Sequence, residues 1–173
     1  MSFTESQSNS NPVKVSLSAP FTDQKPGTSG LRKSSKLFES RNYLESFIEA
    51  IFRTLPNVKN QTLVLGGDGR YGNRRAIQVI LKIAAAHGFS RVITTVDGIL
   101  STPAASNLIR SSKSVAGIIL SASHNPGGVD GDFGVKLNGA NGGPASESLT
   151  EAIFQCTRSL DHYKIIQTSD ISL

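Results

Sequence analysis

The 173-residue sequence contains one cysteine, Cys156, which excludes a disulfide within the chain. Because Cys156 falls on a helical pattern, we interpret it as a buried structural thiol. No apolar run approaches the roughly 20 residues that span a bilayer, so we expect no membrane partner. The first twelve residues are rich in Ser and Asn and lack the apolar core of a signal peptide. We therefore predict a disordered tail at residues 1–12 and a cytoplasmic protein.

Tryptophan is absent, and acidic residues are outnumbered by basic ones, 13 to 18, which gives a net charge of +5. A positive charge of this size attracts anions, including phosphorylated small molecules. The basic residues are scattered and the few aromatic residues do not alternate with them, so no stacking platform for bases is present. We therefore expect a phosphorylated small molecule, and no nucleic acid, as the partner.

Segments typical of strands and helices alternate along the chain with short connections. The predicted strands are residues 13–17, 62–65, 91–96, 115–120 and 133–137, and the predicted helices are residues 43–55, 75–87, 103–111 and 148–160. The loop before residue 133 is too short for a crossover helix, so the last strand is expected to form a hairpin with the one before it. The pattern predicts an α/β fold, a three-layer α/β/α domain with a mixed, mainly parallel sheet.

The turn Ser-Ala-Ser-His-Asn-Pro-Gly-Gly, residues 121–128, is the most informative segment. It follows a buried strand, and ligands of open α/β sheets bind outside the carboxyl ends of strands. Ser123 therefore lies where a nucleophile or phosphate carrier would be placed. A hydrolase pairing of Ser123 with His124 is disfavoured, because neighbouring residues on extended backbone point to opposite sides and the G-x-S-x-G elbow is missing. A tight turn in which Ser and Asn bond only the backbone is the alternative.

A glycine-rich loop at residues 67–72 matches the G-x-G-x-x-G pattern of dinucleotide-binding domains, between a predicted strand and a predicted helix. Asp97, at the end of the next predicted strand, supplies the acidic residue that the dinucleotide-binding pattern also contains. Asp68 and Arg70 weigh against it, because they fill a turn where backbone should approach a pyrophosphate and a carboxylate repels a diphosphate. The alternative is a sharp strand-to-helix turn in which Asp68 accepts backbone hydrogen bonds.

Two further segments carry polar groups suited to anions. Residues 23–36 form a predicted polar loop. Within it, residues 25–32 bring hydroxyls, glycines and cations close together, a combination that suits phosphate, although an ordinary flexible loop is the alternative. Lys136 follows the turn at residues 121–128 on a short strand. It is expected either to point back towards that turn as a proton donor or to be exposed.

Metal-binding patterns are weak in this sequence. Asp130 and Asp132 are too few for a hard cation and are interpreted as a solvated turn. The three histidines lack zinc spacing. One of them, His87, ends a predicted helix and is interpreted as a favourable C-terminal charge or a surface residue.

Five segments carry a resemblance to a known family: D-Q-K-P-G-T-S-G-L-R, G-G-D-G-R, G-I-L-S-T-P-A, S-A-S-H-N-P-G-G and G-D-F-G-V-K-L-N-G-A-N-G-G-P-A. They occur in this order in the phosphoglucomutases. Over residues 13–160 the chain resembles the first domain of that family, within the α-D-phosphohexomutase superfamily. The resemblance implies that residues 13–173 form domain I, the phosphoserine-bearing part of an isomerase of carbohydrate metabolism.

The resemblance implies a role for Ser123. It matches the serine that is phosphorylated in the resting enzyme and exchanges its phosphate with glucose 1-phosphate or glucose 6-phosphate, through glucose 1,6-bisphosphate. Mg²⁺ is the implied cofactor, and Ser123 is its ligand in this chain through the phosphate.

The resemblance also implies roles for five other residues. Arg32 matches the family's loop arginine at the sugar bisphosphate site, and Thr28 and Ser29 match neighbouring loop positions. Lys136 matches the lysine proposed for acid–base work on the sugar hydroxyl. His124 matches a histidine close to the reacting oxygens.

The sequence departs from the family in two ways. Ser121 stands where the motif usually has Thr, a small hydroxyl residue in either case. Domains II–IV, which carry the family's aspartate-rich magnesium loop, sugar-recognition loop and a phosphate-binding loop, have no counterpart in these 173 residues. We therefore expect a chain that is inactive or nearly so alone. A non-catalytic phosphosugar-binding or interaction module is the alternative, and a dinucleotide-binding domain a further one.

Overall fold

The structure is a computed structural model that describes residues 11–173. The predicted tail therefore lies outside the described residues, except for residues 11 and 12. The strands are β1 (Val13–Ser16), β2 (Leu31–Ser34), β3 (Thr62–Gly67), β4 (Arg91–Ile93), β5 (Ala116–Leu120), β6 (Asp132–Gly139) and β7 (His162–Ile165). The helices are α1 (Ser35–Glu39), α2 (Tyr43–Thr54), α3 (Asn73–Ala86), α4 (Thr102–Ser111) and α5 (Glu147–Ser159), with a 3₁₀ turn at Val96–Gly98.

Five strands form the main sheet, in the order β2-β6-β5-β3-β4. Strands β5, β3 and β4 are parallel neighbours, whereas β6 is antiparallel to both β5 and β2. Four strands therefore run in one direction and β6 runs in the other. The predicted mixed, mainly parallel sheet is confirmed, and so is the hairpin of β5 with β6.

Apolar residues on the two faces of the sheet divide the core into two parts. On β3, Leu63 and Leu65 face the larger cluster, which α2 and α3 cover with residues such as Phe47 and Ile80. Val64 faces the smaller cluster, which includes α4. Burial on both faces is typical of the centre of a doubly covered sheet, and it confirms the three-layer α/β/α architecture.

Helix α2 shows how closely local patterning can define an element. Its apolar residues recur at three- and four-residue spacings, and the residues from Tyr43 to Phe52 are all buried. The helix ends at Thr54, because Leu55 is extended, as expected for the residue before Pro56. None of the helices in residues 11–173 is long and apolar enough to cross a membrane.

Three elements differ from the sequence-based expectations. Residues 23–36, predicted as one loop, contain β2, which pairs with β6 at the edge of the sheet, and the start of α1. Strand β4 ends at Ile93, three residues early, and the chain turns at Asp97 with a φ of 55°. Strand β7 was not predicted, and it pairs with β1 in a separate two-stranded sheet. The reason in the first and third cases is pairing with a distant strand, which local patterning does not reveal.

A group of charged residues, here called the Glu49 cluster, lies between α2, α3 and β7. The Glu49 carboxylate is fully buried, and it accepts hydrogen bonds from Arg53 Nε at 2.7 Å and from the backbone N–H of Lys164 at 3.0 Å. The Nε2 atom of His87 lies 2.8 Å from Glu49 Oε2. Burial would raise the pKa of Glu49, but the bonds from His87, Lys164 and Arg53 outweigh it and lower the pKa to about 2.

The structure corrects two side-chain expectations. His87 is not a surface residue, because its side chain is only 10% exposed and bonds Glu49 on the neighbouring helix. Cys156 is half-buried rather than fully buried, and this partial burial raises the pKa of its thiol.

Candidate active site

The turn that follows β5 presents Ser123 to solvent. The residue is exposed and has a φ of 56°, in the left-handed region, which costs a non-glycine residue roughly 1–2 kcal/mol. Two bonds close the backbone around it: Ser121 N–H donates to the carbonyl of Gly134 at 2.9 Å, and Asn125 N–H donates to that of Ala122 at 3.1 Å. A strained residue held at the tip of a tight turn is typical of a functional position.

Hydrogen bonds connect this turn to the loop after β3. Ser123 N–H donates to Ser121 Oγ at 3.0 Å, and that hydroxyl donates to Asp68 Oδ2 at 2.7 Å. Asp68 N–H in turn donates to the carbonyl of Leu120 at 3.0 Å. Partial burial would raise the pKa of Asp68, but hydrogen bonds from Arg70 and Ser121 hold it below its ordinary value. Asp68 is therefore a charged acceptor beneath the turn.

Arg70 contacts the same turn from the side. Its Nη2 donates to the carbonyl of Ser123 at 3.1 Å, and its Nη1 donates to the carbonyl of Asp132 at 2.8 Å. Its Nε lies 3.0 and 3.1 Å from the two carboxylate oxygens of Asp68. The guanidinium is thus engaged with three residues, and the side chain is only 8% exposed.

These contacts account for the glycine-rich match at residues 67–72 without a dinucleotide. Asp68 Oδ1 accepts the N–H of Arg70 at 3.2 Å, which is the local turn expected as the alternative to a nucleotide site. At Gly67, a Cβ would overlap with the carbonyl oxygen of Leu120. The glycine therefore permits close approach of two strands, and the polar side chains of the loop are engaged with the Ser123 turn.

The far end of the turn is fixed by Asp132. Its carboxylate accepts the side-chain N–H of Asn125 at 2.7 Å, and its own N–H donates to the carbonyl of Pro126 at 2.8 Å. Asp130 is exposed and forms an ion pair with Lys36 at 2.5 Å. The interpretation as a solvated turn therefore holds for Asp130, whereas Asp132 is half-buried and bonded, because it closes the loop.

Strand register places Arg32 and Lys136 on one face of the sheet. Arg32 lies opposite Gly134, and Lys136, two residues further along β6, lies opposite Ile119 of β5. Side chains two residues apart on a strand share a face, so Arg32 and Lys136 are diagonal neighbours. Gly134 is also bonded to Ser121, which places this face directly beside the turn.

Arg32 retains an unsatisfied donor at this position. Within residues 11–173, its Nε is buried and has no hydrogen-bond partner. A buried N–H without a partner is costly, so an acceptor supplied by a ligand would be favourable here. Arg32 is therefore suited to an anionic group.

The remaining predicted residues are exposed. Thr28 and Ser29 occupy a turn closed by two backbone hydrogen bonds between Gly27 and Gly30, of 2.9 and 3.1 Å. The turn lies against β6, where a Cβ on Gly30 would overlap with the carbonyl oxygen of Val135. His124 follows Ser123 on the exposed turn. Thus the structure places Arg32 and Lys136 beside the Ser123 turn, and Thr28 and Ser29 in the turn that precedes β2.

Comparison with known proteins gives a match over most of the chain. Residues 23–164 match the family described as phosphoglucomutase/phosphomannomutase, alpha/beta/alpha domain I. The chain belongs to this family. Membership confirms the resemblance that the motifs indicated, and it agrees with the three-layer fold.

Individual relatives agree with this assignment. A phosphoglucomutase from Rhizobium radiobacter is 55% identical over 161 residues, which are 93% of this chain and 30% of that protein. A phosphoglucomutase from Emericella nidulans is 54% identical over 153 residues, or 88% and 28%. The crystal structure of the exocytosis-sensitive phosphoprotein pp63/parafusin, a phosphoglucomutase from Paramecium, has a TM-score of 0.88 at 42% identity and covers 91% of this chain and 29% of that one. The chain therefore spans about 30% of the length of these relatives.

The metal that the family implies requires more ligands than these residues offer. Residues 11–173 contain no group of three or more His, Cys, Asp or Glu side chains that could hold a metal ion. The nearest carboxylates, Asp68 and Asp132, are already bonded to Arg70, Ser121 and Asn125. The described residues alone thus do not fit a magnesium site.

Sequence reasoning did not assign Asp68 and Arg70 to this site. They are separated from Ser121 and Ser123 by 53 positions in the chain, so no local spacing connects the two segments. The available signal was that G-D-G-R and S-A-S-H each follow a predicted buried strand. These strands, β3 and β5, are parallel neighbours, so their carboxyl ends meet at one edge.

Proposed function

We propose that this chain is domain I of a phosphoglucomutase, the part that carries the phosphoserine. The complete enzyme would interconvert glucose 1-phosphate and glucose 6-phosphate through glucose 1,6-bisphosphate. The observation that carries the proposal is the exposed, left-handed Ser123 at the carboxyl end of β5, on a turn fixed by the side chains of Ser121 and Arg70. Sequence identity above 50% to two phosphoglucomutases supports the choice of reaction.

The proposed chemistry is reversible phosphoryl transfer at Ser123. The bond between phosphorus and Ser123 Oγ breaks, a bond forms to the free hydroxyl of the sugar phosphate, and that hydroxyl loses its proton while Ser123 Oγ gains one. In the return step, the other phosphate of the bisphosphate is transferred to Ser123. Such reactions depend mainly on positioning and on neutralising the charge of the phosphoryl group.

Two residues are proposed for the proton transfers and three for binding. Lys136 lies on the sheet face beside the turn, which supports it as the acid or base at the sugar hydroxyl. His124, adjacent to Ser123, is proposed to lie close to the reacting oxygens. Arg32 is proposed to bind a phosphate of the sugar through its guanidinium, whose Nε has no partner within residues 11–173, with Thr28 and Ser29 assisting from the exposed turn.

The rest of the active site is proposed to come from domains II–IV. Val96 and Ile99, which are 78% and 57% exposed, lie near the Asp68–Arg70 loop and are apolar enough to be covered by another domain. Mg²⁺ is proposed as the metal, held by those domains and by the phosphate of Ser123. A cytoplasmic location forms part of the same proposal and is testable by cell fractionation.

The test is Ser123→Ala in the enzyme of full family length that carries this domain. We expect loss of at least roughly 1,000-fold in turnover between glucose 1-phosphate and glucose 6-phosphate, because the residue that forms the covalent intermediate is removed. Ser111→Ala is the matched control, since Ser111 is equally exposed but lies at the end of α4. Near-normal activity of Ser123→Ala would refute the phosphocarrier assignment, and robust turnover by the 173-residue chain alone would refute the dependence on further domains.

A further inference from the structure

We propose that Arg70 is a positioning residue that holds Ser123 in its left-handed conformation. This inference deepens the proposed function and rests on it, because it names the side chain that orients the proposed phosphate carrier. The family match gives no role to the loop that contains Arg70, and the contacts of that loop account for its glycine pattern without a dinucleotide. The side chain of Arg70 nevertheless donates hydrogen bonds to the carbonyls of Ser123 and Asp132.

The guanidinium of Arg70 bridges the tip of the turn that contains Ser123 and the start of β6. Nη2 bonds the carbonyl of Ser123 at the tip, and Nη1 bonds the carbonyl of Asp132, where β6 begins. Nε bonds the carboxylate of Asp68, whose Oδ2 also lies 2.9 Å from Nη2. One rigid planar group therefore connects the tip of the turn, its base and the neighbouring loop.

The bond to the Ser123 carbonyl has a specific consequence. A carbonyl oxygen is part of the rigid peptide plane that follows its residue, so a bond that holds its direction restricts ψ of Ser123. The N–H of Ser123 is already fixed by Ser121 Oγ. With both its N–H and its carbonyl bonded, Ser123 retains little freedom to leave the left-handed region.

The position of Arg70 suits a structural support more than a substrate contact. Its side chain is only 8% exposed. It lies beside Gly127 of the turn, since a Cβ added to that glycine would be 3.7 Å from Arg70 Cβ. The planar fork of arginine can bond two carbonyls and a carboxylate together, whereas the ammonium of lysine is a point charge without this geometry. Arg70→Lys should therefore keep the ion pair with Asp68 but not both carbonyl bonds.

The structural test uses the 173-residue chain, ¹⁵N-labelled, with Arg70→Gln compared with wild type. We expect exchange of the Asn125 and Asp132 amide protons to become at least about tenfold faster, and the three-bond coupling of the Ser123 amide and α protons to change. Arg74→Gln is the matched control, because Arg74 is exposed and forms no ion pair within residues 11–173. Exchange that is unchanged, or that accelerates equally in the β3 and β5 strands, would overturn the inference.

The kinetic test uses the enzyme of full family length. We expect Arg70→Gln to lower kcat roughly 100-fold with little change in KM, because misplacement of a reacting group by about 1 Å costs about this much. In Arg70→Ala, millimolar guanidinium ion should restore part of the activity. Normal kcat in Arg70→Gln beside an inactive Ser123→Ala would remove the role of Arg70 and leave the proposed function intact. An active Ser123→Ala would refute the proposed function, and the exchange data would still decide whether Arg70 holds the turn.

Discussion

The Glu49 cluster and the Asp68–Arg70 network use the same chemical groups in two different settings. In each, one carboxylate accepts hydrogen bonds from an arginine and from further donors. The Glu49 side chain is 0% exposed and lies between helices and β7, whereas the Asp68 side chain is 34% exposed and lies at the carboxyl edge of the sheet.

This difference in exposure indicates that the Glu49 cluster stabilises the fold, whereas the Asp68–Arg70 network positions the Ser123 turn. A fully buried carboxylate that loses its charge or its partners leaves donors unsatisfied in the core, which is strongly destabilising. An ion pair near the surface contributes little to the free energy of unfolding, because water screens it. The partially exposed network is therefore better interpreted by what it holds in place, the Ser123 turn, than by the stability it confers.

Among substitutions in the two networks, we expect Glu49→Gln to have the largest effect on stability. We expect the free energy of unfolding to fall by about 3 kcal/mol, because Arg53 and His87 lose a buried charged acceptor. Urea denaturation of the 173-residue chain measures it. The control is Glu151→Gln, whose exposed carboxylate lies 3.9 Å from Lys25 and should change stability by less than about 0.5 kcal/mol. Equal effects of the two substitutions would contradict the contrast.

The pH dependence of unfolding provides the second expectation. The pKa of Glu49 falls from its ordinary 4.5 to about 2 on folding. Because the pKa is lowered on folding, the contribution of Glu49 to the free energy of unfolding is fully present above about pH 4.5. It is lost as pH falls towards 2, by on the order of 3 kcal/mol. Urea titrations of wild type and Glu49→Gln between about pH 6 and about pH 2 should give free energies of unfolding that converge as pH falls. Parallel curves would show that Glu49 does not titrate in this way.

Asp68→Asn is expected to have the smallest effect on stability, about 0.5 kcal/mol, because the carboxylate is partly exposed. Its effect on the turn should be larger, since Asn offers one acceptor oxygen where Asp68 bonds both Ser121 and Arg70. Urea denaturation measures the first quantity, and amide exchange at Asn125 measures the second. A stability loss as large as that of Glu49→Gln would remove the distinction between the two networks.

Local patterns predicted the parts of the fold that depend on local physics. The apolar stripe of α2 and the residue before Pro56 placed that helix within one residue of its end. Strand β2 was missed because its four residues, Leu-Arg-Lys-Ser, resemble a loop until β6 pairs with them. Similarly, His87 was interpreted as a helix-end charge because its partner, Glu49, is 38 positions away.

For the candidate site, local sequence and resemblance identified the turn at Ser123 and the residues Arg32 and Lys136. The catalytic and binding roles of these residues remain predictions. The side chains that support the turn could not be predicted from local sequence, because Arg70 contacts Ser123 only when β3 and β5 become neighbours. The chemical role of a loop can be predicted from its own residues, whereas the side chains that hold the loop in place belong to another segment.

The position of β6 between β2 and β5 also limits how the loop before it can change in length. Alternate residues of β6 face opposite sides, with Phe133, Val135 and Leu137 in the larger core cluster and Lys136 on the other face. An insertion or deletion that shifted the pairing by one residue would turn Lys136 into the core and expose three apolar side chains. The length of residues 121–131 is therefore constrained, and length variants that survive should be those that leave the pairing of Leu120 with Val135 intact.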